Sequence, residues 1–157
     1  MERVKGRLSQ ELKALERELR VELPREIKTA VAMGDLRENA EYHAALERQN
    51  FVKARVVALR GRLAELSLIR TDQIPRDRIG LGSSVTLLDL DTDDEVNYEL
   101  VVPELAELDR GLISVASPIG KSLLGLREGD DVTIAIPSGK KRYEVLGFRS
   151  IHHLPPK

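Results

Sequence analysis

Apolar side chains recur at Val4, Leu8, Leu12, Leu15, Leu19, Leu23, Ile27 and Val31, in steps of three and four that align them along one side of an α-helix. A second series, Tyr42, Ala45, Gln49, Val52, Val56, Leu59, Leu63, Leu66 and Ile69, alternates three and four almost strictly, the heptad seam of a coiled coil. Each stripe needs a cover. Between them stands only Met33-Gly34-Asp35-Leu36, too short for anything but a sharp reversal, so the two helices are expected to pack antiparallel as a hairpin. Arms of about 30 residues reach roughly 45 Å at 1.5 Å per residue. Pro24 lacks an amide hydrogen and its ring meets the carbonyl of Arg20, so a kink or a restart is expected there.

The helical period stops at Thr71-Asp72-Gln73-Ile74-Pro75, and short runs rich in Val, Ile, Leu and Tyr take over, punctuated by turn residues. Strands are predicted over 84–90, 95–102, 112–116, 131–137 and 141–148, the last two joined by Ser138-Gly139-Lys140. Ser117, which can cap, and Pro118, tolerated at a first helical position, predict a short helix over 117–124. The expected fold class is α+β. An N-terminal antiparallel coiled-coil hairpin spans residues 1–74, with its tip at 34–42, and a mainly β domain with one short helix spans 75–157.

Composition narrows the chemistry. There is no cysteine for a disulfide, a thiolate zinc site or a cysteine nucleophile, and three histidines offer little for a histidine-rich metal centre. No apolar run of about 18 residues offers a membrane span, and Met1-Glu2-Arg3-Val4-Lys5-Gly6-Arg7 leads into no signal-peptide core, so a cytoplasmic protein without a membrane partner is expected. The net charge of −1 hides a split: residues 1–70 hold 15 basic against 11 acidic side chains, and the remainder 10 against 15. A basic half suits nucleic acid nearby and an acidic half suits docking on protein, although two solvated surfaces would carry the same charges. Gly80-Leu81-Gly82 precedes a strand, so it forms no phosphate-binding loop, and the few aromatic side chains are too scattered for base stacking.

The tip draws the chemical attention. Asp35 and Glu38, three residues apart at the expected start of the second helix, would project both carboxylates from one face of its first turn. Such a pair can share a Mg²⁺ ion or position a metal-bound water. The same Asp35-Leu36-Arg37-Glu38 spacing is also a capping box, in which the acids serve only the helix start. Spacing does not separate the two readings. His43 is expected on the hairpin surface, and His152-His153 in a frayed tail.

The run Gly34-Asp35-Leu36-Arg37-Glu38-Asn39-Ala40-Glu41-Tyr42-His43-Ala44-Ala45 resembles the signature of the bacterial Gre transcript cleavage factors, closest to the GreA type. Leu112 to Gly125, with Ser117-Pro118-Ile119-Gly120-Lys121 at its centre, looks like the family's second motif, and Gly129-Asp130-Asp131-Val132 like the turn after it. The resemblance implies a coiled-coil hairpin followed by a domain with an FKBP-like fold. It also implies a transcription elongation factor whose hairpin enters the secondary channel of bacterial RNA polymerase. There Asp35 and Glu38 match the acids that hold a Mg²⁺ ion jointly with the polymerase, stimulating hydrolysis of backtracked nascent RNA at its 3′ end. Alone, the chain should be no enzyme and bind no metal tightly, since two solvated carboxylates neither grip Mg²⁺ nor hold a substrate.

Lesser roles follow from the same resemblance. Arg37, Asn39, Glu41 and Tyr42 are candidates to support the tip, or else ordinary hairpin surface. Ser117 to Lys121 are candidates for docking on the polymerase. Arg48, Lys53 and Arg55 could guide extruded RNA, but a salt-bridged coiled-coil face would use them as well. Direct DNA contact stays open. A hairpin that closes its own seam has less need of a partner helix, so a monomer is expected. The chain departs from the family's pattern before the first helix and between Pro24 and Gly34, which is shorter than usual by about one helical turn. One rival reading keeps fold and partner but makes the hairpin a channel-blocking regulator that inhibits the polymerase or competes with cleavage factors. Others are a stand-alone Mg²⁺ nuclease and a helical adaptor without polymerase contact.

Overall fold

A computed structural model describes residues 1–34 and 39–152. The chain divides into two compact units, Met1–Ile69 and Arg70–Lys157. The fold class is α+β, a helical hairpin followed by a mainly β unit.

The first arm is helix α1 (Glu2–Arg17), one π-helical turn (Glu18–Glu22) and helix α2 (Leu23–Ala32); the second is a single helix, α3 (Ala40–Ser67). The wide turn has two causes in the sequence. Leu15, Leu19, Leu23 and Ile27 follow one another in steps of four, which outrun the 3.6-residue α period and would walk the stripe off the seam. A turn closed by an amide five residues on, Leu23 N–H to the Glu18 carbonyl, takes up the surplus. Pro24 then falls in the first turn of α2, where a missing amide hydrogen costs little. The restart expected at Pro24 is therefore present, in the form of a π turn.

Leu23, Val52 and Val56 make a buried cluster of the seam, with Leu12, Leu15 and Leu19 packed against it. Val4, Leu8, Ala45, Leu59 and Leu66 are buried as well. One position departs from the expected stripe: Ala30 is buried at 3% exposure and Val31 is turned outward at 45%. Leu23 and Ile27 keep the expected positions, and the row then steps by three to the small Ala30. Across the flanks, Arg55 forks onto Glu11 (2.8 and 3.1 Å) and Arg48 donates to both oxygens of Glu18 (3.1 and 3.0 Å), one heptad apart on each arm. Arg60 reaches Glu16 at 3.3 Å. The hydrogen bond from Arg55 holds the Glu11 carboxyl below its usual range.

The second helix begins later than expected. Its cap is Asn39, in an extended conformation, and its first residue is Ala40. Asp35, Leu36, Arg37 and Glu38 themselves lie outside the described residues.

The second unit is a five-stranded sheet of β1 (Ser84–Asp89), β2 (Glu95–Val101), β3 (Leu112–Ser114), β4 (Asp131–Ile136) and β5 (Gly139–Arg149), in the spatial order β3-β2-β1-β5-β4. All pairs are antiparallel except β2 with β3. Helix α4 (Pro118–Leu123) contributes Leu123 to a core with Ile79, Val85, Leu87, Leu100, Ile113, Ile134, Tyr143 and Val145. Every strand falls where the alternating pattern puts it, to within two residues. The β4–β5 turn is shifted: Ile136 pairs with Gly139, leaving Pro137-Ser138 as the two-residue loop rather than Ser138-Gly139-Lys140. His152 is not frayed either, for its Nε2 lies 2.8 Å from the carbonyl oxygen of Ile74; His153 and the residues after it lie outside the described residues.

Along β1 the inward row Val85, Leu87 continues to Asp89, a carboxylate only 4% exposed. Its charge is met by the amides of Asp91 (2.9 Å) and Thr92 (3.3 Å) and by Lys141 Nζ at 3.2 Å. Those hydrogen bonds, that of Asp91 foremost, pull the Asp89 carboxyl below its ordinary 3.8. A depressed folded pKa adds stability above the unfolded value that is lost as pH falls through the folded one. Replacing Asp89 with Asn keeps an acceptor for the two amides and removes the titration. Thermal melts of Asp89→Asn should therefore lose less Tm than wild type below about pH 4, from a lower starting value at neutral pH.

Candidate functional site

At the closed end of the hairpin, α2 runs out at Ala32, Met33 caps it, and Gly34 takes a φ of 137° that a side chain would resist. The chain returns at Asn39, whose side chain is bonded at both ends. Its Oδ1 accepts from the Tyr42 amide at 3.0 Å, satisfying one of the open donors of the first turn of α3. Its Nδ2 donates to the carbonyl of Ala30 at 2.6 Å, in the last turn of α2, where Met33 N–H also bonds at 3.1 Å. One amide thus ties the end of one arm to the start of the other.

Of the expected tip residues, Asn39, Glu41 and Tyr42 are brought together here, and Asp35, Arg37 and Glu38 lie outside the described residues. Tyr42 is half-buried and stacks edgewise on His43, centroids 5.7 Å apart. Glu41 is exposed and helps line an open groove of about 480 Å³ between the arms, with Arg25, Thr29, Ala30, Ala45 and Arg48. No cluster of three or more His, Cys, Asp or Glu able to hold a metal is present among the described residues.

The basic residues considered for RNA divide. Arg48 and Arg55 are committed to cross-arm pairs with Glu18 and Glu11, and the Arg48 guanidinium also sits 5.2 Å from the Phe51 ring centroid. The reading as a salt-bridged face accounts for both. Lys53 is exposed. Their glutamate partners and Ala30 were not singled out by the sequence, since a cross-arm partner becomes visible only once the register is known.

In the second unit Ser117 caps α4, accepting from the Gly120 amide at 3.0 Å and donating to the Ser114 carbonyl at 2.6 Å. Ile119 packs against the core, and a Cβ on Gly120 would collide with the Ser114 carbonyl oxygen. These three hold the segment in shape. Pro118 and Lys121 are exposed, beside Leu124 at 40% exposure, and form the outward part of the motif.

Comparison with known proteins places these features. Residues 3–67 match the family model "Transcription elongation factor, N-terminal", and residues 74–150 match "Transcription elongation factor, GreA/GreB, C-term". The chain belongs to the GreA/GreB family of transcription elongation factors. It is 44% identical over 144 residues to transcription elongation factor GreA of Desulfotalea psychrophila, covering 92% of this chain and 89% of that one. It is 45% identical over 141 residues to that of Syntrophotalea carbinolica, covering 90% and 89%. Among solved structures, GreA factor homolog 1 of Thermus thermophilus is 29% identical, with 93% of this chain and 94% of that one aligned at a TM-score of 0.43. Within this GreA/GreB-family chain the N-terminal match contains the acidic tip, and the C-terminal match contains 117–121.

Gly120 offers a direct check of the α4 geometry. Gly120→Ala must separate the helix from Ser114 and should destabilise the β unit by about 3 kcal/mol, the upper part of the ordinary overpacking cost, read as a fall in Tm.

Proposed function

We propose that this chain stimulates transcript cleavage by bacterial RNA polymerase. Its hairpin enters the secondary channel and brings Asp35 and Glu38 to the polymerase active site, where backtracked RNA has its 3′ end extruded; hydrolysis leaves a new end in register and elongation resumes. The observation that carries the reading is the run from Gly34 to Ala45, which keeps both carboxylates between α2 and α3 in a chain of the GreA/GreB family.

The donor set suits Mg²⁺. Two carboxylates are hard oxygen ligands of the kind that ion takes from a protein, and they are too few to hold it alone. The remaining ligands would come from the polymerase. When held jointly there, the ion would activate water for phosphodiester hydrolysis. The chain's own contribution is placement. The α3 seam keeps the arm straight, Asn39 closes its end, and Glu41 and Tyr42 flank the start of α3, with Arg37 beside the acids in sequence. Pro118, Lys121 and the exposed Leu124 make the outward face of the Ser117–Lys121 segment available for docking on the polymerase. Lys53 remains for electrostatic guidance of RNA, and Arg48 and Arg55 would act from within their ion pairs. By itself the protein should cleave no naked RNA.

The test is cleavage in a stalled, backtracked polymerase complex. Asp35→Asn removes the charge with a side chain of nearly the same shape and leaves the Asn39 cap of α3 in the sequence. Wild type should cleave, and Asp35→Asn should lose at least 100-fold in rate with unchanged Tm and unchanged binding to polymerase, in keeping with the cost of losing a positioned ligand. Binding without cleavage by either protein would contradict the reading and leave a channel-blocking regulator.

A further inference from the structure

We propose that Asn39 is a positioning residue for the acidic tip: its side-chain amide locks the last turn of α2 to the first turn of α3, so that the chain carrying Asp35 and Glu38 leaves and re-enters the hairpin through one fixed frame. The inference rests on the cleavage reading above and adds to it a clamp between the two arms at the base of the tip.

The geometry separates two functions within one side chain. The cap needs only an acceptor, which Oδ1 supplies to the Tyr42 amide at 3.0 Å. The cross-arm bond needs a donor, which Nδ2 supplies to the Ala30 carbonyl at 2.6 Å. Among common capping residues Asp offers no donor, and the single hydroxyl of Ser is too short to span both partners. Ala30 is itself buried at 3% exposure against the second arm, so its carbonyl is a fixed anchor rather than a fraying end. The rest of the seam cannot do the same job. Its nearest buried residue on α3 is Ala45, a small side chain, and the flanking ion pair nearest the tip, Glu18 with Arg48, lies a full heptad or more from Ala30. Near the tip the fully buried side chains are small, and the Asn39 hydrogen bond adds to the half-buried Ile27, Tyr42 and Leu46. Positioning matters there because errors of about 1 Å in catalytic geometry can cost about 100-fold in rate.

Two substitutions test this, Asn39→Asp and Asn39→Ser. Both keep an acceptor for the α3 cap and remove the cross-arm donor; the serine does so without placing a charge against the Ala30 carbonyl. In the backtracked complex, titration of each variant should give the same half-saturating concentration as wild type and a maximal cleavage rate at least 10-fold lower. That split separates positioning of the acids from docking and from folding. Cleavage at the wild-type maximal rate in both variants would overturn the proposal. A second readout is independent of cleavage. The chain has no cysteine, so Val31→Cys and Glu47→Cys carry spin labels at exposed sites on the two arms without competition. Pulsed electron resonance should show a narrow distance distribution with Asn39 present and a broadened one in either variant; an unchanged distribution would overturn the clamp. If wild type itself failed to cleave, the cleavage reading would fall and the distance distributions would still decide the clamp.

Discussion

Leucines set three and four apart on two arms must leave water, and within the hairpin unit each arm has only the other to cover it. Burying a leucine or valine contributes on the order of 1.5–3 kcal/mol, so the seam of Leu23, Val52, Val56, Leu59 and Leu66 decides that the arms lie side by side and in which register. The ion pairs of Glu11 with Arg55 and Glu18 with Arg48 follow from that register. Each is partly exposed and screened by solvent, enough to favour one alignment but too weak to hold a hairpin. Even the π turn is a consequence of the seam. Where leucines step by four, the backbone widens so that they keep facing α3.

Towards the tip this logic weakens. The fully buried side chains there are the small Ala30 and Ala45, Ile27, Tyr42 and Leu46 are half-buried, and the two hydrogen bonds of Asn39 are added. A thin end needs such a change, since bulky apolar residues there would either splay the arms or stand exposed, as Val31 and Met33 do. The second unit solves a different problem with the same economy. Its sheet buries one row per strand, and where that row meets a carboxylate at Asp89, amides and Lys141 neutralise it. Ser117 and Gly120 are fixed inside the 117–121 segment so that Pro118, Lys121 and Leu124 face outward.

Much of this was readable in the residues. The two stripes announced the hairpin, the alternating runs announced all five strands, and Ser117-Pro118 announced α4. The misses share a cause. Asp35 and Asn39 are both good capping residues, and local propensity does not choose between them; the choice is made by the Ala30 carbonyl, which approaches Asn39 only after the arms have packed. Ala30 replaces Val31 in the buried row because the α period past Ile27 takes a step of three, to Ala30, where the stripe was read with another step of four. His152 looked like tail because its partner, Ile74, is distant in sequence. For the acids of the tip, the sequence pattern and the family carry the assignment, since Asp35 and Glu38 lie outside the described residues.

In the proposed function this chain completes a metal site together with the polymerase. The most direct measurement is the Mg²⁺ dependence of cleavage in a backtracked complex, with and without the protein. Two added carboxylates would raise the affinity for an ion held jointly with the polymerase, so saturating protein should lower the Mg²⁺ concentration needed for half-maximal cleavage. An unchanged Mg²⁺ requirement, or cleavage suppressed at every concentration, would contradict the account.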